Sequence, residues 1–322
     1  MFELGIVGIG SWGKRLINAA QGNSDVVRFV AAATRTPSKV EEFAAGHGIA
    51  LSDDYTSLLG NPSVKGVVIC SPGLHHVDQT LAAIEAGKHV LSIKPLALRR
   101  EDAVAIYEAA SAKNVFVGMG YERCFLPAVD ELRRRVKEGA LGQIVHAEGA
   151  YCVTRYQSMT RDDWKTDVSV APPGALADHM LYPMIELIGP VTELHARGAH
   201  LATDLSVPDT ANVDFRLAGG ASGLLTAIGV TPDYARLQFF GTDGWAEIRG
   251  ATRFEFKPRE GEAEIIEFPP FDTLTCQLER FAAAALGEQD FPMTPEQTIA
   301  GVAAVEAMGL SAEQGGPVTL SD

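Results

Sequence analysis

Phe2-Glu3-Leu4-Gly5-Ile6-Val7-Gly8-Ile9-Gly10-Ser11-Trp12-Gly13-Lys14-Arg15-Leu16-Ile17-Asn18-Ala19-Ala20 is the stretch from which the fold is read. Phe2 to Val7 is mostly apolar, as a strand buried on both faces must be. Lys14 to Ala20 is compatible with an amphipathic helix. Between them Gly8, Gly10 and Gly13 stand in G-x-G-x-x-G spacing, with Ser11 and Trp12 inside it. At such a turn the first glycine permits the tight bend. The second lets backbone approach a pyrophosphate, and the third lets helix and strand pack closely. The helix start then offers unpaired N–H groups and partial positive charge to phosphates. A dinucleotide is the expected ligand, bound by Gly8, Gly10, Ser11, Trp12 and Gly13.

Working outward, Val27 to Ala33 predicts a second strand, and Thr36 with Pro37 predicts a helix start. A strand in this place commonly ends on a carboxylate that binds the ribose 2′-hydroxyl. Here Thr34 occupies that position and Arg35 follows. A guanidinium without a carboxylate suits a 2′-phosphate, so NADP(H) is expected ahead of NAD. Leu51 to Leu59 reads as a short strand and helical turn, and Val64 to Cys70 as a buried strand ending in Ser71-Pro72-Gly73-Leu74-His75-His76. A helix over 77–86 closes at Gly87. His89 to Pro95 is a strand running into Lys94-Pro95. A helix near 99–113 and a strand over 115–119 complete the series. Alternation of this kind means βαβ units and a doubly wound parallel sheet, with ligands beyond the carboxyl ends of the strands. Gly8–Gly13, Thr34–Arg35, Ser71–His76 and Lys94–Pro95 all fall there.

After Met119 the alternation stops. A helix over 125–138 ends at Gly139. Strands are then expected at 144–151, 194–201, 211–217, 223–230, 236–240 and 245–249, with a further pair near 254–256 and 264–268. Gly219-Gly220 and the 241–244 segment read as turns. The expected architecture is an α/β Rossmann domain over residues 1–120. An α+β substrate-binding and oligomerisation domain with a largely antiparallel open sheet follows over 121–322.

With 322 residues the chain is long enough for two domains. Its formal charge of −14 speaks against nucleic acid or an anionic membrane as partner. No apolar run is long enough to span a bilayer, and no signal peptide is read. Cys70, Cys124, Cys152 and Cys276 are scattered, without a C-x-x-C pair. Buried reduced thiols in the cytoplasm are expected, with no metal site.

The run VVICSPGLHHVDQTLAAIEAGKHVLSIKPLAL, residues 67–98, resembles the signature of the glucose–fructose oxidoreductase / inositol dehydrogenase / MocA family. There a T-P-x-x-x-H turn precedes A-GKHV and then E-K-P. The likeness continues through GYERCFLPAVDELRRRVKEGALGQIVH and the C-terminal TPEQTIAGVAAVEAMGLSAEQGGPVTL, and covers nearly the whole chain. The resemblance implies a place beside the nicotinamide and the substrate carbinol for Lys94. It implies a cis peptide before Pro95, and puts Ser71, Pro72 and His76 near the cofactor. Where the family has Glu, this chain has Ile93. His75 reads as a surface residue. Tyr121 and Arg123 of the GYER turn read as cleft residues, Arg123 toward the cofactor.

Gly174-Ala-Leu-Ala-Asp178-His179-Met180-Leu181-Tyr182-Pro183 is similar to the family pattern G-A-L-x-D-x-G-x-H-x-x-D. Asp178 is kept. Tyr182 stands at the His position, Met180 at the Gly and Ile185 at the second Asp. A D-x-x-x-Y pair resembles the glucose–fructose oxidoreductase and dimeric dihydrodiol dehydrogenase branch, where Tyr transfers the proton beside the E-K-P lysine and the cofactor is NADP(H). Four residues of helix put Asp178 and Tyr182 on one face. The same residues also read as a helix cap and a core aromatic. His179 is an alternative base, and Arg155, Tyr156, Asp163 and Trp164 form a loop that can line a pocket.

The resemblance implies an NAD(P)-dependent oxidoreductase, with NADP(H) expected. Hydride would pass to or from a sugar, polyol, cyclic diol or related carbonyl compound, with Lys94, Asp178 and Tyr182 as catalytic residues. A homodimer or homotetramer is implied. Two alternatives stand beside it: a nucleotide-binding sensor without turnover, and a reductase of C=N or C=C bonds.

Overall fold

The structure is a computed structural model that describes residues 1–320. It divides into two compact units, Met1–Glu122 with Asp272–Pro295, and Arg123–Phe271 with the chain from Glu296 onward.

The first unit runs β1 (Phe2–Val7), α1 (Ser11–Ala20), β2 (Val27–Ala33), α2 (Glu41–Gly46), β3 (Ala50–Ser52), α3 (Tyr55–Leu59), β4 (Gly66–Ile69), α4 (His76–Glu85), β5 (His89–Ile93), α5 (Arg100–Lys113) and β6 (Val117–Gly120). Its six strands pair in parallel in the order β3-β2-β1-β4-β5-β6. The order reverses between β1 and β4, which opens the crevice where this fold takes its ligand. Every residue of β4 is buried, because helices cover both faces. The Rossmann expectation holds, and each strand read from the sequence is present with small shifts at its ends.

Thr36 does not cap a helix through its side chain. Pro37–Lys39 form a single 3-10 turn closed by the Val40 N–H on the Pro37 carbonyl at 2.9 Å, so α2 begins only at Glu41.

The second unit carries α6 (Pro127–Lys137), β7 (Ile144–Cys152), α7 (Asp178–Leu187), β8 (Val191–Ala199), β9 (Thr210–Leu217), β10 (Ser222–Ile228), β11 (Tyr234–Gly241), β12 (Gly244–Arg249), β13 (Arg253–Pro258) and β14 (Glu264–Glu267). After α8 (Thr273–Ala285) it ends with α9 (Pro295–Gln314) and β15 (Val318–Thr319). Its sheet runs β14-β13-β12-β11-β7-β10-β9-β8-β15, antiparallel except for β7 beside β10. Strand β9 shows why one face is open. Ala211, Val213, Phe215 and Leu217 are buried, while Asn212, Asp214 and Arg216 alternate with them and are exposed.

Helix α8 belongs with the first unit although it comes late in the chain. Asp272 caps it by accepting from the Leu274 and Thr275 N–H groups. Phe281 meets Phe2 edge-on at 6.1 Å and Phe116 at 6.0 Å, and Thr275 Oγ1 donates to the Ala19 carbonyl at 2.7 Å. The boundary read at 120/121 leaves this helix on the other side.

Among the described residues no helix is long and apolar enough to cross a membrane. Cys124 and Cys152 are buried, Cys70 and Cys276 partly so, and no disulfide links them.

Candidate active site

In the first unit the glycine turn has the shape its spacing predicts. Gly8 sits at φ +90, and a Cβ there would lie 2.8 Å from the Cys70 carbonyl and the Ser71 nitrogen. The turn after β1 therefore packs directly on the turn after β4. A Cβ on Gly13 would lie 2.3 Å from the Gly8 carbonyl oxygen, so α1 starts against β1 with no room for a side chain. A Cβ on Gly10 would meet nothing within 4 Å. Gly10 thus faces open space at the N-terminus of α1, the cradle a pyrophosphate needs. These residues fit a dinucleotide's pyrophosphate.

Ser11 is exposed and Trp12 half-buried. The Arg15 guanidinium lies 4.4 Å from the Trp12 ring centroid, and Lys14 Nζ lies 5.1 Å from that of Phe43. Two cations thus stand on the first turns of α1 despite the net negative charge. At the end of β2, Thr34 donates its N–H to the Ser52 carbonyl and Arg35 is exposed.

The turn after β4 is internally braced. Ser71 Oγ bonds Gln79 Oε1 at 2.5 Å, and the Tyr55 hydroxyl donates to the Gln79 carbonyl at 2.8 Å. Burial pushes both the Cys70 thiol and the Tyr55 phenol up from their ordinary values. His76 is buried, with a ring nitrogen at each of two carbonyls, while His75 is exposed. Burial lowers the His76 pKa, against the two carbonyls, which raise it. The Lys94–Pro95 peptide is cis, and the Lys94 N–H donates to the Gly120 carbonyl at 3.2 Å. Ile93, in place of the family Glu, pairs with Gly120 across the last step of the β5–β6 ladder.

In the second unit α7 brings Asp178 and Tyr182 onto successive turns, both buried. The cap position of α7 is Ala177, so Asp178 is its first helical residue and not its cap. Tyr182 is 1% exposed, and a Cβ on Gly301 of α9 would lie 2.0 Å from its ring. Met180 has a similar partner, since a Cβ on Gly149 of β7 would come within 2.4 Å of the Met180 Cβ. A bulky residue replaces the family Gly because the facing strand residue has no side chain. Ile185 is likewise buried in the core of this unit.

His179, next to Asp178, is half-buried, its ring 4.5 Å from that of Tyr151 at 31°. The Arg123 guanidinium lies 5.9 Å from the Tyr151 ring, and its Nη2 donates to the Gly250 carbonyl at 2.7 Å. Arg123, Tyr151 and His179 thus form one stack of a cation and two rings. Tyr151 is absent from the residues picked out by sequence, where it reads only as strand. Tyr121 is fully buried and belongs to the first unit.

In the loop after β7, Tyr156 is buried against Gly229, while Arg155 and Trp164 are exposed. Burial raises the Tyr156 phenol, Arg155 lowers it, and the Asp178 carboxylate raises it again. Tyr156 therefore lies within electrostatic reach of Asp178. Asp163 caps a short turn by accepting from the Lys165 N–H at 3.0 Å, which is a local structural task.

Residues 2–121 match the family described as an oxidoreductase family with an NAD-binding Rossmann fold, and residues 129–247 match the GFO/IDH/MocA C-terminal domain. The rhizopine catabolism protein MocA of Rhizobium meliloti is 28% identical over 325 residues, spanning 95% of this chain and 93% of its own. The scyllo-inositol 2-dehydrogenase (NADP(+)) IolU of Bacillus subtilis is 25% identical over 295 residues, 87% of each chain. The WlbA dehydrogenase of Bordetella pertussis, solved with NADH and UDP-GlcNAcA, superposes with a TM-score of 0.85 at 20% identity, over 100% of this chain and 98% of that one. That likeness shows a common fold. With both units matched in chain order, the protein belongs to the Gfo/Idh/MocA family of NAD(P)-dependent oxidoreductases.

Proposed function

We propose that the protein uses NADP(H) to move hydride between the nicotinamide and the carbinol or carbonyl carbon of a sugar, polyol or cyclic diol. The observation that carries the reading is the glycine turn: closed to any side chain at Gly8 and Gly13, open at Gly10. Gly8, Gly10, Ser11, Trp12 and Gly13 would hold the pyrophosphate; Ser71, Pro72, Lys94, Pro95 and Arg123 belong to the same cofactor set, and buried His76 stands behind the Ser71 turn. Thr34 with Arg35 favours the 2′-phosphate, since an exposed guanidinium follows β2 where a carboxylate would repel it. A relative's name carries NADP(+), and a structural neighbour holds NADH, so the preference rests on Thr34 and Arg35.

Bound NADP(H) supplies the two-electron chemistry, and the chain supplies placement and proton handling. Lys94 Nζ would donate to the substrate oxygen, Tyr182 would exchange the hydroxyl proton, and Asp178 would orient the pair. A second reading assigns the proton to His179. It is favoured by exposure, because His179 is half-buried and Tyr182 is packed on Gly301. The reading places the protein in the cytoplasm as a homodimer or homotetramer, with the open face of the second sheet covered by another copy.

Fluorescence titration with NADPH and NADH tests the cofactor assignment. Tighter NADPH binding, weakened about tenfold by Arg35→Ala, supports it. Equal or tighter NADH binding would show that Thr34 and Arg35 form only a turn. Binding without turnover on sugars and diols would favour the sensor. Turnover confined to imines or activated alkenes would move the reaction to C=N or C=C.

A further inference from the structure

His76 is the first residue of α4 and is 1% exposed. Its Nδ1 lies 2.6 Å from the Pro95 carbonyl oxygen and its Nε2 lies 2.8 Å from the Ser71 carbonyl oxygen. Ser92 Oγ stands 3.4 Å from Nδ1. The two carbonyls belong to different turns, one after β4 and one after β5. The ladder between those strands ends at Ile69 with Ser92, so beyond it sheet hydrogen bonds no longer hold the turns together. The imidazole bridges them where the ladder stops. A carbonyl only accepts, so the ring donates to one of the two when neutral and to both when protonated.

Each turn holds something the proposed chemistry needs. The backbone of Cys70 and Ser71 packs on Gly8, so displacing that turn displaces the pyrophosphate cradle. Pro95 directly follows Lys94. We propose that His76 is a positioning residue: its ring donates to one carbonyl, packs against the other, and so fixes the Lys94–Pro95 turn against the turn after β4, and through it against the glycine turn. It acts through these backbones and not by touching the nucleotide. The inference rests on the nucleotide reading above for its consequence, but the tie itself can be tested in nucleotide-free protein.

Two substitutions separate the ends of the tie. In His76→Asn the side-chain amide sits where Nδ1 was and can still reach Pro95. In His76→Gln it sits where Nε2 was and can still reach Ser71. Amide hydrogen exchange should therefore split. Only the variant that loses the donated bond should speed exchange about tenfold: His76→Asn in residues 71–75 where Nε2 carries the proton, or His76→Gln in residues 94–97 where Nδ1 carries it. NADPH affinity should fall about tenfold in the variant whose segment loosens and stay within about twofold in the other.

Equal loosening of both segments in both variants, or of neither, would overturn the proposal and leave a ring that merely fills space. Should the variants not fold, the unmutated chain decides. A ring N–H proton far downfield, as a short N–H···O contact requires, supports the tie, and one at the position of a solvated imidazole overturns it. Failure of the unmutated protein to bind NADPH or NADH would sink the functional reading alone, since the exchange pattern is judged without nucleotide.

Discussion

A methyl group on the Cα of Gly13 would stand 2.3 Å from the carbonyl oxygen of Gly8, whereas one on Gly10 would meet open space. Two glycines three residues apart therefore answer to different constraints, one internal to the fold and one directed at the ligand.

Alanine substitution should separate them. Gly13→Ala gains helix propensity worth about 1 kcal/mol but forces backbone apart, which costs roughly 1–3 kcal/mol. A net loss in urea unfolding and weakened NADPH binding are expected. Gly10→Ala should leave stability within about 0.5 kcal/mol yet weaken NADPH at least about tenfold, because its methyl occupies the phosphate's place. Unchanged affinity in Gly10→Ala would remove the pyrophosphate from this turn.

Tyr182 invites a comparison of the same kind. Its ring lies on Gly301, so Tyr182→Phe keeps the packing and removes only the hydroxyl. Stability should change by less than about 1 kcal/mol, while kcat on a working alcohol falls about 10²-fold. His179→Asn should leave kcat within about threefold. The opposite pattern would give the proton to His179.

Much of this is legible in the chain. The glycine spacing, the buried run of β4 and the polar alternation of β9 are local patterns, and local patterns survive in sequence. What stays hidden depends on partners far along the chain. Met180 looks like the loss of a family glycine until Gly149 is seen opposite it. Nothing in the sequence of α8 says where it packs, and only the contacts of Phe281 with Phe2 and Phe116 show it. His76 stands out as a motif residue, but its carbonyl partners lie 5 and 19 residues away. Tyr151 escapes notice because a strand tyrosine has no signature without its neighbours.

Arg133 of α6 and Glu186 of α7 form a bidentate ion pair through the Nε–Nη2 edge of the guanidinium, with Glu186 9% exposed, while Nη1 pairs with Asp130. Arg133 Nη2 also donates to the Cys124 carbonyl at 2.7 Å. Glu186→Ala would leave Arg133 with Asp130 and the Cys124 carbonyl alone and should cost about 1–3 kcal/mol in urea unfolding. Replacing both partners with apolar side chains, Arg133→Met together with Glu186→Leu, should cost far less than the single change. A double variant as unstable as Glu186→Ala would contradict the pairing.

Asp209 gives stability a defined dependence on pH. It is 1% exposed, and its carboxylate accepts the N–H groups of Leu201, Ala202 and Thr203 at 2.9, 2.7 and 2.9 Å. Burial alone would raise its pKa, but these three donors outweigh burial and hold it below the usual aspartate value of 3.8. A folded pKa below the unfolded one means stability that is fully present above the unfolded value and lost as pH falls through the folded one. Asp209→Asn keeps one acceptor but not the charge, and should cost about 1–2 kcal/mol at pH 7. The gap between variant and parent should hold from pH 7 to about 5 and narrow below about 4, where Asp209 first takes up a proton in the unfolded parent and, lower still, in the folded one. Urea unfolding at several pH values measures it. A gap that stays constant down to about pH 3 would mean that the three N–H groups hold the side chain by shape, without help from its charge.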